Sequence, residues 1–157
     1  MKTLLTPVQV LRHAFGGGEY LPPETIAEAD IAAAEQRYLL PVLGTALYEE
    51  LLAGEHAAFT ADYLAPALAR FTRLLVQPRL DLRTGRIGTL APESDNGTVP
   101  DETALRALRR SLRCEADALL RRAVAHLEAH AALFPAYDSD RNPLNRCTTD
   151  GGFVQIR

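Results

Sequence analysis

Tryptophan is absent from this 157-residue sequence, and aromatic residues make up only 6% of it. A core so poor in large rings has to be filled by leucine and alanine, which favours helices over sheets. Cysteine is nearly absent too. Cys114 and Cys147 stand far apart, outside the CxxC or Cys/His spacing of a zinc site, and are expected as free thiols in a reducing compartment. Basic residues are not in excess: 17 Lys and Arg against 20 Asp and Glu leave a net charge of -3. That argues against a dedicated nucleic-acid binder, which needs a basic surface to displace counterions from phosphates. No apolar run approaches the ~20 residues of a membrane span. The start, Met1-Lys2-Thr3-Leu4-Leu5-Thr6-Pro7, is too short an apolar run for a signal peptide. A cytoplasmic protein with no membrane partner is expected.

What is present is ordinary globular composition, 47% hydrophobic and 24% charged, at a length that suits one domain. The organising stretch is 31–51. Ile31, Ala34 and Tyr38, then Leu47, Tyr48 and Leu51, recur at three- and four-residue spacing, which places each set on one face of a helix. Between them, Pro41 disfavours helix at Leu40 and Gly44 admits backbone angles that other residues resist, so a corner is expected with the turn at Pro41.

The rest of the chain reads as more helix. Thr6-Pro7 opens a short helix through Phe15, closed by a flexible Gly16-Gly17-Gly18 turn that lacks the Lys-Ser or Lys-Thr pair of a phosphate loop. Pro22-Pro23 introduces the second helix and the third spans about 44–53. A fourth runs from Thr60 to Val76, with Pro66 either starting or kinking it. Between Pro78 and Pro100 the helical period disappears, and alternation around Thr84-Gly85 suggests a short β-hairpin or irregular insertion, followed by a polar turn at Glu93-Ser94-Asp95-Asn96-Gly97. The longest helix is expected from Asp101 to Phe134, as the spine of the fold, along a stripe of Leu105, Leu108, Leu112, Ala116, Leu119, Ala123, Leu127, Ala131 and Phe134. The fold class is therefore all-α: about five helices in one domain over 1–136, with a polar C-terminal tail at 137–157 outside the core. No internal repeat is evident.

Chemistry is sparse. His126 and His130 lie four apart on the long helix but lack the His-Glu-x-x-His context of a metalloprotease, and read as surface or interface histidines. Glu28, Asp30 and Glu35, or Glu49 with Glu50, are possible acid–base carboxylates without a setting that would split their pKa values. Glu35, beside the apolar face, is expected to be partly buried and bonded to backbone amides or to Arg37 or Arg70. Ser94, Ser111 and Ser139 have no Gly-x-Ser-x-Gly context. Arg106, Arg109, Arg110, Arg113, Arg121 and Arg122 form a basic band, offset by Asp101, Glu102, Glu115, Asp117 and Glu128. No catalytic residue, cofactor or metal is expected.

The corner, Ile31-x-x-Ala34-Glu35-x-x-Tyr38-Leu39-x-Pro41-x-Leu43-Gly44-x-x-Leu47-Tyr48-x-x-Leu51, together with Leu127-Glu128-x-His130-x-x-x-Phe134-Pro135-x-Tyr137-x-Ser139 at the end of the long helix, resembles a helical family encoded in phages and prophages. Its members are similar to the head–tail connector, or adaptor, proteins of tailed phages. The resemblance implies a non-enzymatic structural subunit that forms a homo-oligomeric ring, docks on the portal, contacts portal and tail proteins, and lets DNA pass through the lumen, in the cytoplasm before assembly and in the virion afterwards. Glu35, Tyr38, Pro41, Leu43, Gly44 and Tyr48 would then shape the corner. Arg106, Arg109, Arg110, Arg113, Phe153 and Ile156 would meet neighbouring chains. The rival expectation is a small helical binding or regulatory protein that contacts nucleic acid through the Arg band.

Overall fold

The structure, a computed structural model, describes residues 2–16, 21–85, 88–90, 100–145, 147–150 and 153–156, with the stretches from 83 to 90 and from 147 to 156 described by backbone alone. The expectations for Gly17, Gly18 and the 93–97 turn, and for the side chains of Cys147, Phe153 and Ile156, lie outside the described residues.

Five continuous helices pack around one core: α1 (Pro7–Ala14), α2 (28–43), α3 (Thr45–Ala53), α4 (57–81) and α5 (Glu102–Ala129). Two short antiparallel ladders pair β1 (Arg83–Gly85) with β2 (Gly88–Leu90) and β3 (Cys147–Asp150) with β4 (Phe153–Ile156). The all-α expectation holds for the body. Its centre is α4. Ala67, Leu68 and Ala69, then Phe71, Thr72 and Arg73, are consecutively buried, and a helix buried on every side lies inside the bundle rather than on its surface. The spine is therefore α4 and not the longest helix. α5 buries a single stripe, Leu112, Ala116, Leu120, Ala123, Val124 and Leu127, and its first ten residues contain no buried position.

Local chemistry sets the helix ends. The Thr6 hydroxyl accepts from Gln9 N while the Gln9 amide reaches back to Thr6 N, a reciprocal cap for α1. At its other end, the buried Arg73 donates to Ala14 O at 2.6 Å and lies over the Phe15 ring, tying the last turn of α1 to α4. Asp30 caps α2 by accepting from Ala27 N, and Asp101 caps α5 by accepting from Ala104 N.

Several expected boundaries move. The chain does not turn at Pro41: α2 continues to Leu43 and breaks at Gly44, whose φ of 79° and ψ of 161° are reserved for glycine. Pro66 and Pro78 both lie within α4, which therefore reaches Asp81 instead of ending at Val76. α5 stops at Ala129, where His130 leaves helical geometry and a 3₁₀ turn follows, so Ala131 is exposed while Phe134 returns to the core. The helical body also extends beyond 136. Asn142 is fully buried and donates to the Tyr137 hydroxyl at 2.7 Å, Leu144 packs on the core, and Asn145 donates to Glu128.

A candidate functional site at two proline-linked turns

α2 and α4 survive their internal prolines in the same way. A proline has no N–H and its ring collides with the carbonyl four residues back, which normally breaks a helix. Here one turn ahead of each proline is widened into a π turn, Glu35–Leu39 before Pro41 and Thr60–Leu64 before Pro66. The two sequences correspond position by position as Glu35-Gln36-Arg37-Tyr38-Leu39-Leu40-Pro41 and Thr60-Ala61-Asp62-Tyr63-Leu64-Ala65-Pro66. A Tyr-Leu-x-Pro repeat thus exists, against the expectation of none. Periodicity conceals it because each π turn shifts the helical phase by one residue; the recurrence of Tyr, Leu and Pro at fixed offsets was the available signal.

The two turns also use their tyrosines alike. Tyr38 stacks on Phe71 with ring centres 4.2 Å apart, and the Arg113 guanidinium of α5 lies over the Tyr38 ring at 5.3 Å. Tyr63 stacks on His126 at 4.1 Å, with Arg122 of α5 at 4.8 Å. Each tyrosine is therefore held against an aromatic ring and an α5 guanidinium, a contact favoured by the charge of the ring face.

At the head of the turns the correspondence ends. Glu35 is fully buried. One carboxylate oxygen accepts from Leu4 N at 2.7 Å and the other from the Tyr48 hydroxyl at 2.7 Å. Burial raises the Glu35 pKa, and the two donors pull the other way; burial and the neighbouring carboxyl also push up the Tyr48 hydroxyl. The backbone amide is the partner the sequence suggests, but neither cation is: Arg70 pairs with Glu115 at 3.0 Å and Arg37 lies over Tyr38. Thr60, the counterpart of Glu35, has a buried hydroxyl oxygen with no hydrogen-bond partner among the described residues. It lines an open cleft of about 520 Å³ between the N-terminal segment, α1, and the link from α3 to α4. Lys2, Arg12 and His13 form one wall and Glu55 stands among the lining residues contributed by that link.

The other candidates resolve into internal contacts. Asp30 forms a two-oxygen pair with Arg79. His126 and His130 lie with ring centres 4.3 Å apart and planes tilted by 31°, and His130 Nδ1 lies 3.0 Å from His126 O, so that nitrogen is engaged with the backbone of its own helix. Burial, with His130 and Arg122 alongside, lowers the His126 pKa. Glu50, Glu55 and His56 bring ligand atoms within 4.8 Å of one another, the closest arrangement to a metal site among the described residues. Ligands on a tetrahedral zinc lie about 3.3 Å apart, and the Glu50–His56 contact of 3.7 Å already serves as an ion pair if the imidazole is protonated.

Three of the six arginines of the basic band are paired with carboxylates among the described residues. Arg106 binds Glu102, Arg109 lies 3.5 Å from Asp81, and Arg113 pairs with Asp117 while covering Tyr38. Arg110 carries no ion pair among the described residues. Phe153 and Ile156 belong to β4, with Phe153 opposite Asp150 and Ile156 opposite Cys147. No helix among the described residues is long and apolar enough to cross a membrane.

No curated protein and no solved structure matches the chain. A match to a defined protein family extends over residues 39–146, from the end of the first π turn to the close of the helical body, and the chain belongs to that family, the Family of unknown function (DUF6712).

Proposed function

We propose that this protein is a structural, non-enzymatic subunit that self-assembles into a ring, of the head–tail connector kind found in tailed phages, and that its partners are further copies of itself and the portal and tail proteins of a virion. The observation that carries the reading is the use made of the corner. Glu35, the fully buried acid among the described residues, accepts from Leu4 N on one oxygen and from the Tyr48 hydroxyl on the other, so it locks the N-terminal segment to the α2–α3 corner and is closed off from any substrate. A group spent in this way shapes a building block. The resemblance of the same corner to connector proteins supplies the kind of assembly.

Two further features support it. The first ten residues of α5 lie outside the core and offer a surface to a neighbour. Several arginines of the band already face carboxylates in their own chain, so a phosphate would have to displace them; this suits DNA that slides past better than DNA that is held. A ring requires a heterologous interface, in which one face of a subunit meets a different face of the next.

The test is mass photometry and negative-stain electron microscopy of the purified chain across a range of concentrations, alone and with portal-bearing capsids. Rings, or binding at the portal vertex, are expected. A monomer that neither associates nor binds capsids would overturn the reading.

A further inference from the structure

Glu50, Glu55 and His56 differ in kind from the other polar clusters. Each offers a metal-ligating atom, and the three atoms lie within 4.8 Å of one another. The set is one imidazole nitrogen and two carboxylate oxygens, a mixed donor set and not a patch of acids.

The backbone builds this set where α3 ends. Gly54 leaves the helix at a φ of 99°, and Glu55 N–H donates to Glu50 O at 3.0 Å, so residues 50 and 55 are drawn together across the helix end. His56 follows at a φ of 53°, the one residue other than glycine in the left-handed region among the described residues. Its Nε2 lies 3.7 Å from Glu50 Oε2, and its ring rests against the buried Phe134 with centres 4.6 Å apart. One ligand is thus held in place by the core, while the two carboxylates sit on flexible side chains that can close on it.

The local charge calls for a cation. Both carboxylates stand at the C-terminal, negative end of α3, where the helix dipole disfavours them. Among the described residues neither pairs with a lysine or arginine; Lys2 and Arg12 line the same cleft as Glu55 without forming an ion pair with it. The contact between Glu50 and His56 is an ion pair only while Nε2 carries a proton, and a metal takes the lone pair of the same nitrogen in place of that proton.

The donors also select the ion. Calcium and magnesium are held by oxygen ligands and favour six or more of them, whereas an imidazole suits zinc and its first-row neighbours. The separation of 3.7 Å between Glu50 and His56 is already near the ~3.3 Å between ligands on a tetrahedral zinc. A fourth position is left for water.

We infer that Glu50, Glu55 and His56 bind a divalent ion of the zinc class, which fastens the end of α3 to the link into α4. The inference goes beyond the ring reading and does not depend on it. The test is isothermal titration of the untagged whole chain with zinc chloride, with thermal unfolding followed in parallel. One zinc per chain is expected to bind and to raise the Tm, an effect that magnesium does not reproduce. Glu55→Gln changes an exposed side chain and should keep the metal-free Tm; His56→Asn removes the imidazole and leaves a residue that tolerates the left-handed backbone. Each should lose about tenfold or more in zinc affinity, while His126→Phe should bind zinc as the wild type does. Absence of zinc binding, full affinity in Glu55→Gln or in His56→Asn, or loss of binding in His126→Phe would each overturn the inference.

Discussion

Glu35 and Thr60 hold the same position at the head of two π turns, each six residues before a proline, but the Glu35 carboxylate is matched on both oxygens while the Thr60 hydroxyl has no hydrogen-bond partner among the described residues. The first turn is closed from within the chain by Leu4 and Tyr48. The second borders a cleft. The same backbone device, used twice, thus gives a sealed corner in one place and an open one in the other.

Tyr48→Phe removes one of the two donors to a fully buried carboxylate while leaving the ring in place. A loss of about 1–3 kcal/mol is expected, read as a shift in the midpoint of urea unfolding with an unchanged slope. An unchanged midpoint would mean that the hydroxyl contact contributes nothing net.

Gly44→Ala tests the backbone of the corner. A Cβ there would meet nothing within 4 Å, so crowding is not at issue and the whole cost comes from holding φ at 79° and ψ at 161°. A loss of about 1–3 kcal/mol is expected, with Gly44→Val at least as costly. Wild-type stability in Gly44→Ala would show that the corner can take another shape.

The pH dependence of stability should contain two opposing contributions. Burial raises the Glu35 pKa, so in a window above 4.5 the folded chain keeps a proton that the unfolded chain has released. That contribution is full below 4.5 and is lost as pH rises through the window. Glu35→Gln should remove it, so that wild type loses stability relative to the variant as the pH is raised from about 4.5.

His126 works in the other direction. Its pKa is lowered from 6.5, so the unfolded chain takes up the proton first. Its contribution is present above 6.5 and declines as pH falls through the lowered value. His126→Phe, which keeps a ring against Tyr63, should flatten the loss on acidification, and nuclear magnetic resonance titration of the His126 ring should place its midpoint below that of an unfolded peptide.

Removal of residues 146–157 should leave the melting temperature near that of the full chain, since Asn142, Leu144 and Asn145, which engage the body, are retained. If the tail contributes to contacts between subunits, size-exclusion chromatography should show impaired assembly. A truncation that assembles normally would remove the tail from the interface.

Much of the fold can be read along the chain. Ile31 and Ala34 on α2, and Leu47 and Leu51 on α3, are buried at the spacing that marks each pair as one face, and Thr6 and Asp101 begin helices because their side chains cap free amides. Glu35 could be singled out as a buried acid because it sits beside that face. Its partners could not, since Leu4 lies thirty-one residues away in sequence.

The sequence by itself determined the helical class and the need for glycine at the corner, because these follow from backbone sterics and local hydrogen bonding; the Tyr-Leu-x-Pro pattern is written in it too, but helical periodicity hides it. Only the tertiary structure decided that prolines 41 and 66 are absorbed into helices, that α4 and not the longer α5 is central, and that Arg113 and Arg122 rest on tyrosines. It also decided that one turn is sealed and its counterpart is open. A widened turn is stable only when packing on both sides holds it, and the burial of a helix is settled by what surrounds it.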